Sequence, residues 1–247
     1  MTIAAFAANA APANNLVTNG SFETLTNGTG QIGFNTDATG WAVGNYPYTF
    51  VFGSGSADTT GAIGVDGPTF PVKLWGPNSG SANGLPASSP DGGNFIAMDG
   101  NFPNQPTGPL SQLISGLTPG VTYTLSFDFA FAQQAGFDGD TIQNWTVNFG
   151  SETATTANYN VPNHGFSGWE RASFDFTATS VSQLLSFVAY GNVPVPPFAL
   201  LDGVSLSDST VVNGVPEPSS WAMLIAGFGI IGVAARRRRH NTTLLAA

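Results

Sequence analysis

The stretch VTYTLSFDFAF, residues 121–131, alternates large apolar side chains with small or polar ones without a break. A period of two residues is that of a β-strand, because successive side chains of a strand point to opposite faces. One face would lie in a hydrophobic core, and it carries Val121, Tyr123, Leu125, Phe127, Phe129 and Phe131. The preceding LTPG, residues 117–120, is typical of a tight turn.

Shorter stretches repeat this pattern along the chain. They are WTVNF (145–149), ASFDFTA (172–178), LLSFVAY (184–190) and LLDGVSLS (200–207). Charged residues make up only 9% of the chain, whereas Gly (31) and Pro (17) are abundant. Many short strands separated by turn residues predict an all-β protein, either a sandwich or a barrel.

The C-terminal region has a different character. Residues 221–235 contain no charged side chain and are followed at once by four arginines, Arg236 to Arg239. A helix of this length spans about 22 Å, which is short of the ~30 Å hydrocarbon core, although flanking arginines can reach the headgroups. We expect one transmembrane helix over 221–235, with residues 241–247 as a cytoplasmic tail and the main domain outside. The alternative is a buried core helix.

The same region resembles a known sorting signal. Pro216, Glu217 and Pro218 precede Trp221 and Ala222, and the apolar run ends in the arginine cluster of Arg236, Arg237, Arg238 and Arg239. Residues 216–240 are similar to the PEP-CTERM signal in its PEPxxWA form. The resemblance implies that an exosortase processes the chain for the surface of a Gram-negative bacterium that makes exopolysaccharide. A permanent membrane anchor with an incidental motif is the alternative.

Residues 1–13 and 208–215 flank the predicted domain. The first segment, MTIAAFAANAAPA, has small residues typical of a signal-peptide cleavage site but no basic residue. It is either the remnant of a signal peptide or a disordered tail. The second segment is a linker to the sorting signal.

Four motifs between these flanks resemble galactose-binding-like jelly rolls, which include carbohydrate-binding modules. In chain order they are NLVTNGSFE (15–23), GLTPGVTYTLSFDF (116–129), SGWERASFDFTA (167–178) and ALLDGVSLS (199–207). The resemblance implies a jelly-roll β-sandwich over residues 14–207. The domain is large for this fold, and we expect the additional residues in the Gly-, Pro- and Ser-rich loops between 53 and 108.

Asp202 is a candidate metal ligand. The alternation of its strand places it on one face with Leu200, Val204 and Leu206, so its carboxylate would be buried and would need a partner. Calcium suits carboxylate oxygens, and the resemblance implies a structural Ca²⁺ held by Glu23 and Asp202. Alternatively, Asp202 accepts hydrogen bonds from backbone amides or is protonated. The acids of FDGD, residues 137–140, could suggest a second calcium site, but a solvated turn is the favoured interpretation.

Exposed aromatic rings are the usual platforms for sugar rings. Trp41, Tyr46, Tyr48 and Trp75 lie in or beside predicted loops and are the candidate carbohydrate-binding residues. Each of them could instead fold under its own loop.

Charge and composition exclude several functions. Residues 1–214 hold two basic side chains, Lys73 and Arg171, against fourteen acids, a net charge of −12 that repels nucleic acid. The chain has no Cys, and His164 is the one histidine before the tail, so no catalytic residue is predicted. We expect a non-catalytic surface or exopolysaccharide-matrix protein with carbohydrate binding as its candidate activity. An extracellular polysaccharide-active enzyme is the alternative.

Overall fold

The computed structural model describes residues 15–44, 48–59, 64–65, 70–100, 108–192 and 195–209. The chain divides into two units, Met1–Ser209 and Thr210–Ala247. The predicted leader, the sorting segment and the predicted helix over 221–235 lie outside the described residues. Within the described residues, no helix has the length and apolar character needed to cross a membrane.

The described part of the first unit is built from β-strands. In chain order they are β1 (Gly30–Gln31), β2 (Ala42–Val43), β3 (Thr49–Phe52), β4 (Gly64–Val65), β5 (Phe70–Pro71), β6 (Phe95–Asp99), β7 (Leu110–Ser115), β8 (Thr122–Gln133), β9 (Thr141–Phe149), β10 (Glu152–Thr155), β11 (Tyr159–Val161), β12 (Glu170–Thr177), β13 (Ser182–Gly191) and β14 (Pro197–Asp208).

The strands form two larger antiparallel sheets. Sheet 1 has the order β1-β3-β6-β14-β8-β12, and sheet 2 has the order β10-β9-β13-β7-β2, with β11 also paired to β9. Strands β4 and β5 pair only with each other among the described strands. This arrangement confirms the prediction of an all-β sandwich.

The main hydrophobic core lies between the two sheets. Strand β8 contributes the residues that its alternation predicts, and Trp145, Val147, Phe149, Leu185 and Phe187 of sheet 2 face them. The aromatic rings pack edge to face, for example Phe127 against Phe187 at 5.1 Å between ring centroids.

A second hydrophobic core covers the other face of sheet 1. The segment between β3 and β6 folds back over this sheet and buries its own Ala57, Val72, Leu74 and Leu85. From the sheet it covers Phe50, Phe52, Phe95, Ala97, Ala130, Ala132, Phe198 and Leu200. The Gly- and Pro-rich segment is therefore partly a core-forming layer, and β8 and β14 are buried on both faces where it covers them. No described segment covers the outer face of sheet 2 in this way.

An irregularity at Gly203 changes the direction of the last strand. The register between β14 and β8 shifts between Asp202 and Ser205, and Gly203 has φ of 56°, a left-handed value that favours glycine. Val204 and Leu206 then face the main core, whereas Leu200 belongs to the second core. The prediction that Leu200, Asp202, Val204 and Leu206 share one face is wrong, because simple alternation does not account for the bulge.

The first and last segments of the domain are joined by main-chain hydrogen bonds. Leu16 N donates to Leu206 O at 2.8 Å, and Val204 N donates to Gly20 O at 3.0 Å. The side-chain oxygen of Asn15 also accepts from Leu206 N at 2.9 Å. The start of the domain thus lies along β14.

Candidate functional site

Trp75, Asp138 and His164 meet where three loops converge. The Trp75 and His164 rings stack with their centroids 3.8 Å apart and an angle of 30° between planes. The His164 ring also bonds to Asp138, with Nε2 at 2.6 Å from Oδ1, and the His164 and Asp138 side chains are 28% and 80% exposed. Trp75 Nε1 donates to Phe137 O at 2.9 Å. We call these three side chains the Trp75 cluster.

The backbone of His164 is held in an unusual conformation. Its φ is 58°, a left-handed value that costs free energy for a residue with a Cβ. Its N–H donates to Gln133 Oε1 at 2.7 Å. Its carbonyl accepts from Ser81 Oγ and Asn83 Nδ2, each at 2.9 Å. These bonds fix the imidazole against Trp75.

Gln133 is the buried residue that connects the loops. Its side chain is fully buried, and Nε2 lies within hydrogen-bonding distance of Gly139 O (3.0 Å), Thr141 Oγ1 (3.2 Å) and Val161 O (3.2 Å). Together with the bond to His164 N, one amide reaches the Gly139–Thr141 segment, strand β11 and the His164 loop. Because a buried amide is costly unless it is hydrogen-bonded, this network fixes the loop positions.

An open cleft of about 380 Å³ adjoins these loops. It is lined by Asp140, Thr141, Ile142, Asn160, Val161, Pro162 and Asn192. Asp140 Oδ1 accepts from Asn163 N at 2.8 Å, and Asn192 Oδ1 accepts from Ile142 N at 2.5 Å. The walls therefore offer one carboxylate, amide groups and apolar side chains, and the backbone holds Asp140 and Asn192 in place.

The chemistry of this cleft suits a neutral ligand with many hydroxyl groups. Carboxylate and amide oxygens accept hydrogen bonds, and amide nitrogens donate them. Ile142 and Pro162 offer apolar surface to the apolar parts of such a ligand. None of the lining residues is basic, so a phosphate or sulfate group would meet Asp140 without a cation to compensate it. The cleft therefore offers hydrogen-bonding groups but no basic residue for an anion.

The structure places the predicted carbohydrate-binding aromatic residues in different environments. Trp41 is only 6% exposed, and its Nε1 donates to Asn19 O at 3.0 Å. Tyr48 is buried in the second core, and burial raises its pKa to about 12. Neither ring offers a free face, which does not fit the stacking role predicted for it. Trp75 is half-buried in the cluster, and Tyr46 lies outside the described residues.

Asp202, the predicted cation ligand, is completely buried. Ser89 Oγ donates to its Oδ2, whereas its Oδ1 has no hydrogen-bond partner among the described residues. The pKa of Asp202 is raised to about 9, chiefly by burial; the bonds from Ser89 and Gly203 lower it, whereas the charges of Asp91 and Asp128 add to the rise. The orphaned oxygen fits a cation ligand.

Glu23 and Asp202 are both held by the turn before β6, but at different points. Glu23 is exposed, and its Oε1 accepts from Asn94 N at 2.6 Å. Ser89, which bonds Asp202, precedes Asn94 in the same turn. In the part of the chain that the structure describes, no three acidic or histidine side chains are grouped as metal ligands. A cation at Asp202 would therefore depend on main-chain carbonyl oxygens and water.

Asp128 lies directly opposite Asp202 across the β14–β8 pair. Arg171 Nη1 lies 3.0 Å from Asp128 Oδ1. Burial nevertheless raises the pKa of Asp128 above its ordinary value, although the Arg171 charge lowers it. One guanidinium thus pairs with one of two adjacent carboxyls, and a protonated Asp202 relieves their repulsion.

Several residues of this region carried no signal in the sequence. In the sequence, Gln133 looks like any other residue of a strand, and His164 is an isolated histidine in a predicted loop. FDGD was interpreted as a solvated turn, and Asp138 is indeed exposed but bonded to His164. Their association depends on contacts between loops far apart in the chain, which neither periodicity nor a short motif encodes.

The tail gives the clearest match to known proteins. Residues 214–239 match the family model for the PEP-CTERM protein-sorting motif. The chain carries a PEP-CTERM sorting motif. This motif indicates an exported protein that an exosortase processes at the cell envelope. It contains the predicted Pro216, Glu217, Pro218, Trp221 and Ala222. No curated protein matches the chain in sequence.

Among solved structures, the domain is similar to carbohydrate-binding modules of jelly-roll fold. TmCBM61, in complex with beta-1,4-galactotriose, is 12% identical over 80% of this chain and 100% of that chain, with a TM-score of 0.43. The CBM22-1 xylan-binding domain from Paenibacillus barcinonensis Xyn10C is 13% identical over 82% and 99%, with a TM-score of 0.39. The enzymatically active domain of bacteriophage CBA120 tailspike protein 4 is 14% identical over 78% of this chain but only 21% of that chain, with a TM-score of 0.37.

Proposed function

We propose that this protein is a non-catalytic component of the cell surface or exopolysaccharide matrix, and that its folded domain binds an uncharged polysaccharide. The helix over 221–235 holds the chain in the membrane of a Gram-negative bacterium until an exosortase acts at the PEP region. The domain is then retained among the extracellular polysaccharide.

The observation that carries the binding proposal is the cleft beside the Trp75 cluster. Its amides and its carboxylate are preorganised, since Asp140 and Asn192 are held by backbone N–H groups and the adjoining loops by Gln133. Preorganised polar groups bind hydroxyls without the entropic cost of ordering the site. The half-buried Trp75 and the side chain of Ile142 provide apolar surface nearby.

The same contacts favour binding over hydrolysis. A glycosidase needs two carboxyl groups, one on each side of the scissile bond. Asp138 is bonded to His164 and Asp140 to Asn163 N, so both acids of this loop serve to hold it. A polysaccharide-active enzyme would need a second, free carboxylate in the cleft, and Asp140 is the one acid among the lining residues.

The binding proposal is tested by affinity electrophoresis of the full chain. Gels containing β-1,4-galactan or xylan serve as neutral probes, and gels with polygalacturonic acid as the anionic probe. We expect retardation by a neutral polymer and none by the anionic one. Asn160→Ala, in the cleft, should weaken retardation by roughly tenfold, as the loss of a hydrogen bond to a bound ligand does.

Asn27→Ala is the matched control, because Asn27 is also exposed but lies near β1, away from the cleft. It should retain the retardation of the unaltered chain. If Asn160→Ala is retarded as strongly as Asn27→Ala, the cleft is not the binding site. If the chain releases reducing sugar from either neutral polymer, and Asp140→Asn abolishes this release, the domain hydrolyses polysaccharide and the non-catalytic proposal is wrong.

The sorting proposal is tested by the intact mass and C-terminal peptide of the mature protein from its native host. A chain ending near Pro216 to Pro218, without Arg236 to Arg239, is expected. A mature chain that still carries those arginines would mean a permanent anchor and would overturn processing.

A structural Ca²⁺ at Asp202 is the remaining part of the proposal. The unpartnered Oδ1 of this buried side chain supports it, as does the net negative charge of the domain. When bound, the ion would neutralise the Asp202 carboxylate and link β14 to the turn that holds Glu23. We expect the thermal midpoint to fall on addition of EDTA and to recover with excess Ca²⁺. If EDTA leaves the thermal midpoint unchanged, the domain holds no structural Ca²⁺.

A further inference from the structure

Three polar side chains lie buried beside the wall of the cleft. They are Gln133 of β8 and Thr141 and Gln143 of β9, and each is at most 1% exposed. Thr141 is also one of the residues that line the cleft. We call these three side chains the buried amide cluster. Polar groups at such depth are costly unless every donor and acceptor among them finds a partner.

The side-chain amide of Gln143 has all its donors used but its acceptor free. Its Nε2 donates across the sandwich to Ala132 O of β8 at 2.9 Å, and to Thr141 Oγ1 at 2.8 Å. An amide nitrogen carries two hydrogens, and both are therefore engaged. The carbonyl of Ala132 can only accept, so it fixes which end of the amide faces β8. Gln143 Oε1 has no hydrogen-bond partner among the described residues.

The hydroxyl of Thr141 has the opposite deficit. Its Oγ1 lies 2.8 Å from Gln143 Nε2 and 3.2 Å from Gln133 Nε2. Both neighbours are nitrogen donors, so the hydroxyl oxygen accepts from them and cannot give its own hydrogen to either. In the part of the chain that the structure describes, no group accepts that hydrogen. The cluster thus contains one unmatched acceptor and one unmatched donor on side chains that are in contact.

We infer that the buried amide cluster is the binding site of a single water molecule, which donates to Gln143 Oε1 and accepts from the Thr141 hydroxyl. Water is a donor and an acceptor at once, so one molecule matches both orphaned groups. Buried waters in proteins typically make about two to four hydrogen bonds to polar groups of this kind, and they are costly to remove.

Other occupants match only half of the cluster. A cation would bind Gln143 Oε1, but the lone pairs of Thr141 Oγ1 face amide N–H groups, and the hydroxyl hydrogen would still lack an acceptor. An anion would accept from Thr141 and be repelled by Gln143 Oε1. Rotation of the Gln143 amide would give Thr141 an acceptor, but it would set the amide oxygen against Ala132 O, and two acceptors cannot bond.

The water completes a network that reaches the wall of the cleft. Gln133 Nε2 contacts Gly139 O and Val161 O, on either side of Thr141, and Val161 lines the cleft together with Thr141. With Gln143 satisfied through the water, the cluster holds the start of β9 between β8 and β11. A fully matched network of this kind is rigid, whereas a partly matched one is not.

Magnetic relaxation dispersion of water oxygen counts long-lived internal waters and tests the inference on the full chain in detergent micelles. Thr141→Val keeps the shape of the side chain but removes the hydroxyl, and it should lower the dispersion amplitude by that of one water. Thr141→Ser keeps the hydroxyl and should retain the amplitude of the unaltered chain. Thr156→Val is the matched control, because Thr156 is also buried and accepts from Trp145 N instead. It should retain the amplitude as well.

A crystal structure of the unaltered full chain identifies the occupant without any substitution. Electron density is expected about 2.7–3.2 Å from both Gln143 Oε1 and Thr141 Oγ1. Crystals grown with Rb⁺ should show no anomalous signal at that point, because the site does not take a cation. An unchanged dispersion amplitude in Thr141→Val, a rotated Gln143 amide, a site without density or an anomalous signal from Rb⁺ would each overturn the inference.

Discussion

The two sheets of this domain have similar numbers of strands but opposite surroundings on their outer faces. On sheet 1, the segment between β3 and β6 buries aromatic and aliphatic side chains in a second core. On sheet 2, leucine, serine, threonine and asparagine side chains face outward without a described covering layer. The comparison shows that the additional residues of the domain cover the outer face of sheet 1. Sheet 1 is therefore packed on both faces, whereas sheet 2 is packed on its inner face alone among the described segments.

The largest expected effect comes from opening the covered side. Phe198→Ala removes a fully buried ring that contacts Phe50 and Tyr48 at 5.9 Å between centroids. The free energy of unfolding, measured by urea denaturation, should fall by about 3–5 kcal/mol. Leu184→Ala on sheet 2 is the control and should cost less than about 0.5 kcal/mol. Similar losses in both variants would mean that the two faces do not differ as described.

The second prediction concerns the acid buried beneath the covering layer. The folded-state pKa of Asp202 is raised to about 9 from 3.8, so the unfolded chain ionises first as the pH rises. Folding stability is then greatest below the unfolded pKa and declines between pH 4 and pH 9, where the folded state resists ionisation. In EDTA, which removes any bound cation, Asp202→Asn should flatten this decline and raise stability at pH 7 by about 1–3 kcal/mol.

Asp175→Asn, at an exposed position of β12, is the control and should still show the decline that Asp202 causes. The Asp202 result also separates a proton from a metal ion. With Ca²⁺ present, Asp202→Asn should instead lower stability at pH 7 and remove the effect of EDTA, because the charged carboxylate holds the cation. Melting curves of both variants between pH 4 and pH 9, with and without EDTA, decide between the two.

The smallest expected effect lies at the loops that extend from the sandwich. Gln133→Met keeps the volume of the side chain but removes its hydrogen bonds to Gly139, Val161 and His164. It should lower stability by about 1–2 kcal/mol and abolish retardation by the neutral polysaccharide. Gln112→Met is a matched control, since Gln112 is also buried and bonds Thr18 instead. Its stability loss should be similar and its retardation intact; loss of retardation in both would show only general unfolding.

The sandwich could be predicted because strand alternation is a local property. Strand β8 turns its phenylalanines to the main core as its sequence indicates, and the turn before it lies where Pro and Gly place it. The second core could not be predicted, because Ala130 looks like an ordinary outward position until a distant segment covers it, and Leu200 was expected on the same face as Val204 and Leu206. The bulge at Gly203 also escaped prediction, and with it the true direction of Asp202.

The candidate site was less accessible to sequence than the fold. Residue type and a predicted loop position single out Trp75, but they equally select Trp41, which is a core residue. A tryptophan in a loop sequence does not reveal which layer its loop covers. His164 and Gln133 become meaningful only through hydrogen bonds that join residues 31 positions apart. Such contacts are products of the completed fold.

The position of β14 has a mechanical consequence. Any load on the chain beyond Ser209 reaches the domain through this strand, which lies between β6 and β8 in sheet 1. Pulling along its axis loads both ladders of hydrogen bonds in shear at the same time, rather than peeling them one after another. The main-chain bonds from Leu16 and to Gly20 add resistance at the same end. A load applied along β14 would thus meet resistance from both neighbouring strands at once.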